Sequence, residues 1–375
     1  MSLSGDISIT SSSLKDIKDV IISKGGTVSG DITTYATAIE NLSGNIVVRR
    51  DVVDGKFQML SNNFEFSLPG IIDVDNYALA CAFRGCTSLT SVDLSSLTTI
   101  SGSYALYYAF QGCTSLTSID LSSLTTISGS DSLYYTFGNC SGLTGMLDLS
   151  SLTTISGNYA LSYAFQGCTS LTSIDLSSLT TVSGSNTLLN AFNGCSGLTG
   201  VLDLSSLTII SGDFSFSQVF SGASRVTKID LSGLTTVSGD HAMNNTFMGG
   251  YAGVTEIDLS SLTTVSGKSG MDYTFHNLTS LTSVTFPSLT TLSGSKALER
   301  CFQYCTSLTS LSFPALTSTS FGSYTNQFNV MLTGVTGCTV HFPSNLQSAI
   351  GSWSDVTAGF GGTNTTVLFD LPATT

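Results

Sequence analysis

The sequence repeats itself nine times with a period of 27 or 28 residues, which restricts the chain to a fold of stacked, similar units. The block Ala-Phe-Gln-Gly-Cys-Thr-Ser-Leu-Thr-Ser-Ile-Asp-Leu, residues 109–121, returns along most of the chain with few changes. Its phenylalanine recurs as Phe83, Phe110, Phe137, Phe165, Phe192, Phe220, Phe247, Phe275 and Phe302. A unit of this size cannot bury its own apolar face, so the units must stack into a solenoid.

Two hydrophobic periods alternate within each unit. Apolar or small residues within 106–113 recur at i, i+3, i+4 and i+7, which predicts one face of a short helix. In residues 118–122, Ile119 and Leu121 alternate with polar residues, which predicts a half-buried strand. Residues 128–129, Ser-Gly, supply a flexible corner before the next unit. The units therefore predict an α/β solenoid of about nine coils.

The recurring motif Phe-x-Gly-Cys-Thr-Ser-Leu-Thr-Ser-Ile-Asp-Leu, present over residues 79–316, resembles the BspA-like class of leucine-rich repeat, known from bacterial surface antigens. The resemblance implies a curved, right-handed solenoid with a parallel sheet on one side, and a role in adhesion or recognition. Members of that class commonly carry proline after the strand. Here most units carry Ser-Ser, and only Pro287 and Pro314 keep the proline.

Residues 1–50 do not follow the repeat. Residues 14–22 predict an amphipathic helix that ends at Gly25-Gly26, and residues 33–39 predict a second helix. This stretch resembles a small helical segment near the start of phage tail and fibre proteins. The resemblance implies that residues 1–50 dock the protein on a virion and that the solenoid is displayed. The N-terminus lacks a basic, apolar export leader, which agrees with that expectation.

We expect three segments: a helical N-terminal adaptor at 1–50, a leucine-rich repeat solenoid at 51–319 and a C-terminal cap at 320–375. Residues 64–66, Phe-Glu-Phe, lie 28 residues before Val-Asp-Leu at 92–94 and share its alternating pattern, so they predict a degenerate first coil. In the cap, residues 339–343 and 366–369 predict strands. The cap is expected to close the end of the sheet, because an uncovered edge invites aggregation.

Charge and hydropathy exclude two kinds of partner. The net charge of −13, with only 12 basic side chains, leaves no basic surface for phosphate groups, so nucleic acid is not an expected partner. The longest apolar runs are only a few residues, whereas a membrane-spanning helix needs about 18. We therefore expect no insertion into a membrane.

One outward position of the predicted strand is acidic in seven successive units. The row consists of Asp93, Asp120, Asp148, Asp175, Asp203, Asp230 and Asp258. Glu65 is a candidate to extend it. Carboxylates stacked about 5 Å apart repel by roughly 1 kcal/mol per pair in water, so the row needs compensation. Either flanking serines and water solvate it, or it holds cations such as Ca²⁺ or attracts a basic ligand; no other cofactor is expected.

The two positions before the repeated Ala-Phe vary from unit to unit while the core positions stay constant. They hold Tyr107-Tyr108, Tyr134-Tyr135, Ser162-Tyr163, Leu189-Asn190, Ser217-Gln218, Asn244-Asn245, Asp272-Tyr273 and Glu299-Arg300. Tyrosine provides contact area at a low cost in conformational entropy, so variable tyrosines on a constant scaffold indicate a binding surface. The candidate surface comprises Tyr107, Tyr108, Tyr134, Tyr135, Tyr163 and Tyr273. The alternative is ordinary surface variation with tyrosines half buried between coils.

Most of the nine cysteines stand three residues after the repeat phenylalanine. Other units place Ala223, Gly250 or Leu278 at that position, which neither a disulfide ladder nor a metal ladder would accept. The pattern instead predicts a buried position for small apolar side chains in a reducing compartment.

No catalytic motif stands out. His241 and His276 lie in different units at different offsets from the phenylalanine, and His341 is the third and last histidine. The sequence holds no nucleophile elbow with a triad context, no Walker loop and no His-Glu-x-x-His motif. We therefore do not expect an enzyme.

The sequence as a whole predicts a non-enzymatic recognition or adhesion protein. The first expectation is a phage virion component, associated with the tail or fibre, that assembles in the host cytoplasm and contacts the host surface. The alternative is a BspA-like adhesin on a bacterial cell surface. The expected partners are a host cell-surface protein or glycan and, through residues 1–50, other virion proteins. Formation of a homo-oligomer stays open.

Overall fold

The units stack as the coils of a solenoid of about ten turns, and each coil contributes one residue stretch to each of three columns. These columns are seen in a computed structural model of the protein, which describes residues 7–9, 46–50, 64–67, 70–249, 252–321, 326–349 and 359–373. Before the first coil, β1 (Ile7–Ile9) and β2 (Ile46–Arg50) form antiparallel pairs, β1 with β2 and β2 with the first strand of the stack.

The first column contains the longer strand of each coil, and neighbouring strands within it pair in parallel. Its members are β3 (Phe64–Ser67), β4 (Leu89–Asp93), β6 (Ser118–Asp120), β8 (Gly145–Asp148), β10 (Leu171–Asp175), β12 (Thr199–Asp203), β14 (Arg225–Asp230), β16 (Glu256–Asp258), β18 (Ser283–Thr285), β20 (Ser310–Ser312), β21 (Thr339–Pro343) and β22 (Thr366–Leu371). Pairing is interrupted before β8, before β12 and before β18. At the first two breaks the 28-residue units carry Gly145 and Gly200 with φ of 75° and 76°, a conformation that glycine adopts without strain.

The second column is an eight-stranded parallel sheet of two-residue strands. Its members are β5 (Thr99–Ile100), β7 (Thr126–Ile127), β9 (Thr154–Ile155), β11 (Thr181–Val182), β13 (Ile209–Ile210), β15 (Thr236–Val237), β17 (Thr264–Val265) and β19 (Thr291–Leu292). The threonine just before each strand adds a hydrogen bond between neighbouring coils through its side-chain hydroxyl. The hydroxyl of Thr125 donates to the carbonyl of Thr98 at 2.8 Å, and Thr153 donates to Thr125 at 3.1 Å.

The repeat phenylalanines form one continuous stack through the core, which confirms the main prediction from the sequence. From Phe83 to Phe302, successive rings lie 5.3 to 5.8 Å apart with interplanar angles of 4° to 18°. Most leucine and isoleucine positions of both strand columns are buried around this stack, and Ile119 and Ile174 are partly buried against it. Each coil therefore buries its apolar face against its two neighbours, as the solenoid argument requires.

The third column, predicted as a short helix in each unit, is a succession of turns and is called the turn column below. The backbone N–H of Leu106 donates to the carbonyl of Ser132 in the next coil at 2.7 Å. The N–H of Ala109 donates to the carbonyl of Leu106, three residues back, at 2.9 Å. An α-helix would instead direct each N–H to the carbonyl four residues back. The described coils contain no α-helix here, so the helix prediction and the α/β class are both wrong.

The turns imitate the spacing of a helix because their backbone repeats every four residues. Tyr104, Tyr108 and Gly112 have φ of 57°, 54° and 74°, all in the left-handed region. Between them, Ala109 and Phe110 are fully buried. A period of four is close to the 3.6 residues of a helical turn, so eight residues of apolar pattern do not separate the two structures.

The two ends of the chain follow the prediction in part. The predicted helices at 14–22 and 33–39 lie outside the described residues. The degenerate first coil is present as β3, but its register is shifted, because Phe66 pairs with Val92 and Ser67 pairs with Asp93. Ser67, not Glu65, therefore continues the acidic position.

The predicted C-terminal strands are β21 and β22, and they extend the first column in parallel. The structure also shows a 3₁₀-helix at Ser318–Phe321 and a one-turn helix α1 at Leu346–Ala349. Among the described residues, no helix has the length and hydrophobicity needed to cross a membrane.

Candidate binding surface

The aspartates of the acidic row cap the corner that follows each strand. In all seven coils, one carboxylate oxygen accepts the backbone N–H of the residue two positions later, at 2.9 to 3.0 Å. The hydroxyl of Ser122 adds a second bond to Asp120, at 2.7 Å. The serine hydroxyl and then the backbone N–H lower the pKa of Asp148, and the same groups of Ser205 lower that of Asp203. The backbone N–H of a flanking serine therefore gives every carboxylate of the row a hydrogen-bond donor.

The same geometry explains why proline is rare after these strands. The residue that donates its N–H to the aspartate occupies the position where related repeats carry proline, and proline has no N–H to donate. Where this chain has proline at that position, the aspartate is absent: Thr285 precedes Pro287, Ser312 precedes Pro314 and His341 precedes Pro343. Each corner is therefore stabilised by an aspartate cap or by a proline, but not by both.

Cation binding by the acidic row stays a prediction. In each aspartate, one carboxylate oxygen accepts the backbone hydrogen bond of the corner, and the other oxygen takes no part in that bond. Across the described part of the chain, no three or more His, Cys, Asp or Glu side chains converge as metal ligands do. The geometry gives the row a structural role that needs no ion.

The candidate tyrosines form one connected cluster on the turn column of the first coils. We define the tyrosine surface as Tyr77, Tyr104, Tyr107, Tyr108, Tyr134, Tyr135, Tyr159 and Tyr163. Tyr77, Tyr104 and Tyr159 were missed in the sequence, although the 27-residue spacing of the first two was a usable signal. Tyr273 lies apart from the surface: its ring contacts His276, with Arg300 5.1 Å from its centroid.

Within the tyrosine surface the rings cover one another's faces along the solenoid axis. Tyr77 stacks on Tyr104 at 4.9 Å, with planes 5° apart. Tyr108 stacks on Tyr135 at 5.1 Å and 21° in the same way. The residues are half-buried, apart from Tyr77 and Tyr159, which are exposed. Stacking therefore leaves ring edges and hydroxyl groups on the outside. Two of these hydroxyls also bond within the chain: that of Tyr135 accepts a hydrogen bond from Asn139 at 3.1 Å, and that of Tyr104 donates to Asp131.

Several of these tyrosines stand where the backbone favours glycine. Each of the nine repeat coils has three left-handed positions, four residues apart. The third position holds mainly Gly or Asn, as in Gly112 and Asn139, whereas the first and second hold Asn, Asp and small residues in some coils and large side chains such as Tyr104 and Tyr108 in others. A left-handed conformation costs a residue with a Cβ about 1 kcal/mol or more. The large side chains at the first two positions are therefore retained despite the backbone, which points to a role for the side chains themselves.

Three phenol groups of the surface, those of Tyr104, Tyr107 and Tyr134, have a raised pKa and are held in their protonated form. Burial and the neighbouring Tyr108 and Tyr163 raise the pKa of Tyr134 to about 12. Burial also raises the pKa of Tyr107, and the nearby Asp131 charge raises that of Tyr104. Neutral phenols both donate and accept hydrogen bonds.

The prediction that both variable positions face outward is wrong for the first of them in later coils. Asp272 and Glu299 are only 6% and 4% exposed. One Glu299 oxygen accepts hydrogen bonds from Lys296 at 3.1 Å and from Asn329 at 2.6 Å, and Arg300 lies 3.1 Å away. Lys296, Arg300 and Asn329 therefore enclose the Glu299 carboxylate between neighbouring coils.

Asp272 is less completely paired than Glu299. One oxygen accepts a hydrogen bond from Asn244 at 3.2 Å, while the other is buried with no hydrogen-bond partner. Burial and the adjacent Glu299 charge raise the pKa of Asp272 to about 7, against the opposing effect of Arg300 and Lys296. Asp272 is therefore a buried, titratable group of the fold.

The repeat cysteines pack in the core, as their exchange with small residues predicts. Cys113, Cys140, Cys168, Cys195 and Cys305 are fully buried, and each thiol lies 3.1 to 3.3 Å from the carbonyl of a repeat phenylalanine in the preceding coil. Cys86 is only partly buried. Burial raises the pKa of Cys195 and Cys305 to about 12. Such thiols are structural and not nucleophilic.

The three histidines do not meet. His241 stacks on Phe214 at 4.9 Å, and His276 lies edge-on to Tyr273 and Tyr304, where burial lowers its pKa. His341 pairs with Asp370 at 2.9 Å in the last strands. This scattering gives no shared acid–base or metal-binding arrangement.

Comparison with known families identifies the repeat. A family model described as "BspA type Leucine rich repeat region" matches the chain in six copies, over residues 61–162, 82–218, 135–249 and 254–348. These matches span more than half of the chain. No curated protein matches the sequence.

Among solved structures, similar chains include leucine-rich repeat proteins from three bacteria. The Bacteroides ovatus protein is 18% identical, with 84% of this chain and 97% of that chain covered and a TM-score of 0.24. The Eubacterium ventriosum protein is 16% identical, with 88% and 95% covered and a TM-score of 0.29. The T. pallidum protein is 22% identical, with 44% and 83% covered and a TM-score of 0.26. At these scores the superpositions carry no further argument.

Proposed function

Because the chain belongs to the BspA-type leucine-rich repeat family, we propose that it is a non-enzymatic adhesin of a bacterial cell surface that contacts another cell through its tyrosine surface. Proteins of this family are typically bacterial surface proteins, and a leucine-rich solenoid typically serves as a scaffold for interaction. The fold supports that role, since a core of fixed residues holds variable side chains at regular intervals on its outside.

The observation that carries the proposal is the placement of large side chains on a backbone suited to glycine. Tyr77, Tyr104 and Tyr159 occupy the first left-handed position of their coils, and Tyr108 and Tyr135 occupy the second. Exchange for glycine would relieve the backbone without altering the phenylalanine core. Retention of clustered tyrosines there is the pattern expected of residues that contact a partner.

The virion interpretation has less support. It depends on the resemblance of residues 17–39 to a segment of phage tail and fibre proteins, and those residues lie outside the described part of the chain. The family match favours the cell-surface alternative instead.

Adhesion can be measured with fluorescent beads coated with the full chain. We expect the beads to bind epithelial monolayers or intact bacterial cells. A variant with Tyr107→Ser, Tyr108→Ser, Tyr134→Ser and Tyr135→Ser should bind at least tenfold less, because the central contact area is lost while the core is unchanged. Circular dichroism should show the same fold in both proteins.

A matched control alters another face of the same coils. Thr126→Ser, Thr154→Ser and Thr181→Ser change the second column, which lies away from the turn column, and should leave adhesion unchanged. Failure of the unmodified protein to bind either cell type, or equal loss in both variants, would contradict the proposal. Antibody labelling of intact producing cells tests the surface location directly.

A further inference from the structure

The chemistry of the tyrosine surface indicates which kind of molecule it contacts. Stacking along the axis covers the faces of its rings, as in the pairs Tyr77–Tyr104, Tyr107–Tyr134 and Tyr108–Tyr135. A partner therefore meets ring edges and phenol hydroxyls. Coils stack about 4.8 Å apart, so the hydroxyls recur at that interval along the solenoid.

The charges beside the rings are already engaged. Arg84 lies 5.1 Å from the centroid of the Tyr108 ring and donates to the side chain of Gln111 at 2.6 Å. Asp131 accepts a hydrogen bond from Tyr104, and burial raises its pKa. The surface thus presents few free charges, and the raised pKa of Tyr134 keeps its central phenol neutral at physiological pH.

Exposed aliphatic side chains lie elsewhere. Met146 and Val201 are on strands of the first column, and Ile209 is on the second. A protein partner would bury an apolar centre within a ring of polar contacts. The tyrosine surface instead presents ring edges, which carry partial positive charge, beside hydroxyls that both donate and accept hydrogen bonds. Both suit the hydroxyl and ring oxygens of a sugar chain.

We infer that the tyrosine surface binds a neutral polysaccharide chain lying along the solenoid axis, with the phenol hydroxyls as its hydrogen-bond partners. This inference rests on the proposed adhesive function and names its ligand. An anionic polysaccharide fits poorly, because the chain carries a net charge of −13. Nucleic acid is disfavoured for the same reason.

Affinity electrophoresis of the full chain tests the inference, with mannan, dextran, galactan or xylan cast in the gel and alginate as the anionic control. We expect at least one neutral polysaccharide to retard the protein and alginate to have no effect. A variant with Tyr107→Phe, Tyr108→Phe, Tyr134→Phe and Tyr135→Phe keeps the stacked rings and removes four hydroxyls. Its dissociation constant should rise at least tenfold.

Tyr273→Phe is the matched control, because it removes a hydroxyl from the same column outside the tyrosine surface; it should leave retardation unchanged. The inference is overturned if none of the four neutral polysaccharides retards the protein, or if the Phe variant binds as tightly as the unmodified chain. Cell adhesion that is lost in the Ser variant but kept in the Phe variant would preserve the proposed function and replace the glycan by a protein partner.

Discussion

The carboxylate of Asp148 accepts a hydrogen bond from the backbone N–H of Ser150 at 3.0 Å, and the same bond recurs after each strand that ends in aspartate. It holds the chain at the corner where it leaves the first column. Because proline removes the donor, the two residues that make this bond cannot be changed independently.

Ser150→Pro alone should destabilise the protein by about 1–2 kcal/mol, because it leaves Asp148 without its backbone donor. The double variant Asp148→Thr with Ser150→Pro reproduces the Thr285 and Pro287 corner and should recover most of that loss. Urea unfolding of both variants measures the difference. Equal stability of the single and double variants would show that the cap and the proline are not alternatives.

The Asp272–Glu299 pair should make stability depend on pH. The pKa of Asp272 is about 7 in the folded protein and near 4 when unfolded, so the folded state holds the extra proton between these values. Its contribution is complete below about pH 4 and is lost as the pH rises through 7; three pKa units at about 1.4 kcal/mol each set an upper bound of about 4 kcal/mol on the loss.

Asp272→Asn removes this titration and retains the shape of the side chain. Unfolding of both proteins at pH 5 and pH 8 isolates the effect, since the other groups are common to them. The unmodified chain should lose stability relative to the variant between the two pH values. Parallel behaviour would show that Asp272 titrates normally.

Gln218→Gly should stabilise the fold. Gln218 has a φ of 53°, and only its backbone N–H bonds to the neighbouring coil, at 2.9 Å from the carbonyl of Asn244. Glycine removes the left-handed penalty and adds some chain entropy to the unfolded state, for a net gain of about 0.5 kcal/mol. Gln218→Ala keeps the penalty and is the control; an equal rise in melting temperature for both would contradict the strain argument.

Thiol labelling should follow burial. Cys113, Cys140, Cys168, Cys195, Cys301, Cys305 and Cys338 are buried, and Cys81 and Cys86 are partly exposed. A maleimide should therefore modify Cys81 and Cys86 first in the native protein and reach the others only on unfolding. Peptide mass spectrometry locates the label, and rapid native labelling of Cys168 would contradict the packing described above.

The features that depend on sequence period were predictable, and those that depend on neighbouring coils were not. The 27- or 28-residue interval placed Phe110 and Phe137 in one stack, and alternation around Ile119 placed a strand. The turn column was mistaken for helices because the partner of the Leu106 N–H lies in another coil, which a local pattern does not show.

The candidate site shows the same division. Tyr107 and Glu299 occupy equivalent positions, yet Tyr107 is half-buried and Glu299 is enclosed. The difference comes from Lys296 and Arg300, whose side chains pair with Glu299, and from Asn329 in the next coil. Equivalent positions in the repeat therefore predict the same location in the coil but not the same surroundings for the side chain.

Backbone hydrogen bonds give every coil a direction. On the turn column the N–H of Leu106 donates to the carbonyl of Ser132 in the following coil. Beside the second column the N–H of Thr125 donates to the carbonyl of Thr98 in the preceding coil. The two faces of a coil along the solenoid axis therefore differ. The donors and acceptors on one face match those on the facing side of the next coil. Coils with this backbone can be joined in one orientation only, so a whole coil can be gained or lost by duplication or deletion without reversing the direction of the stack.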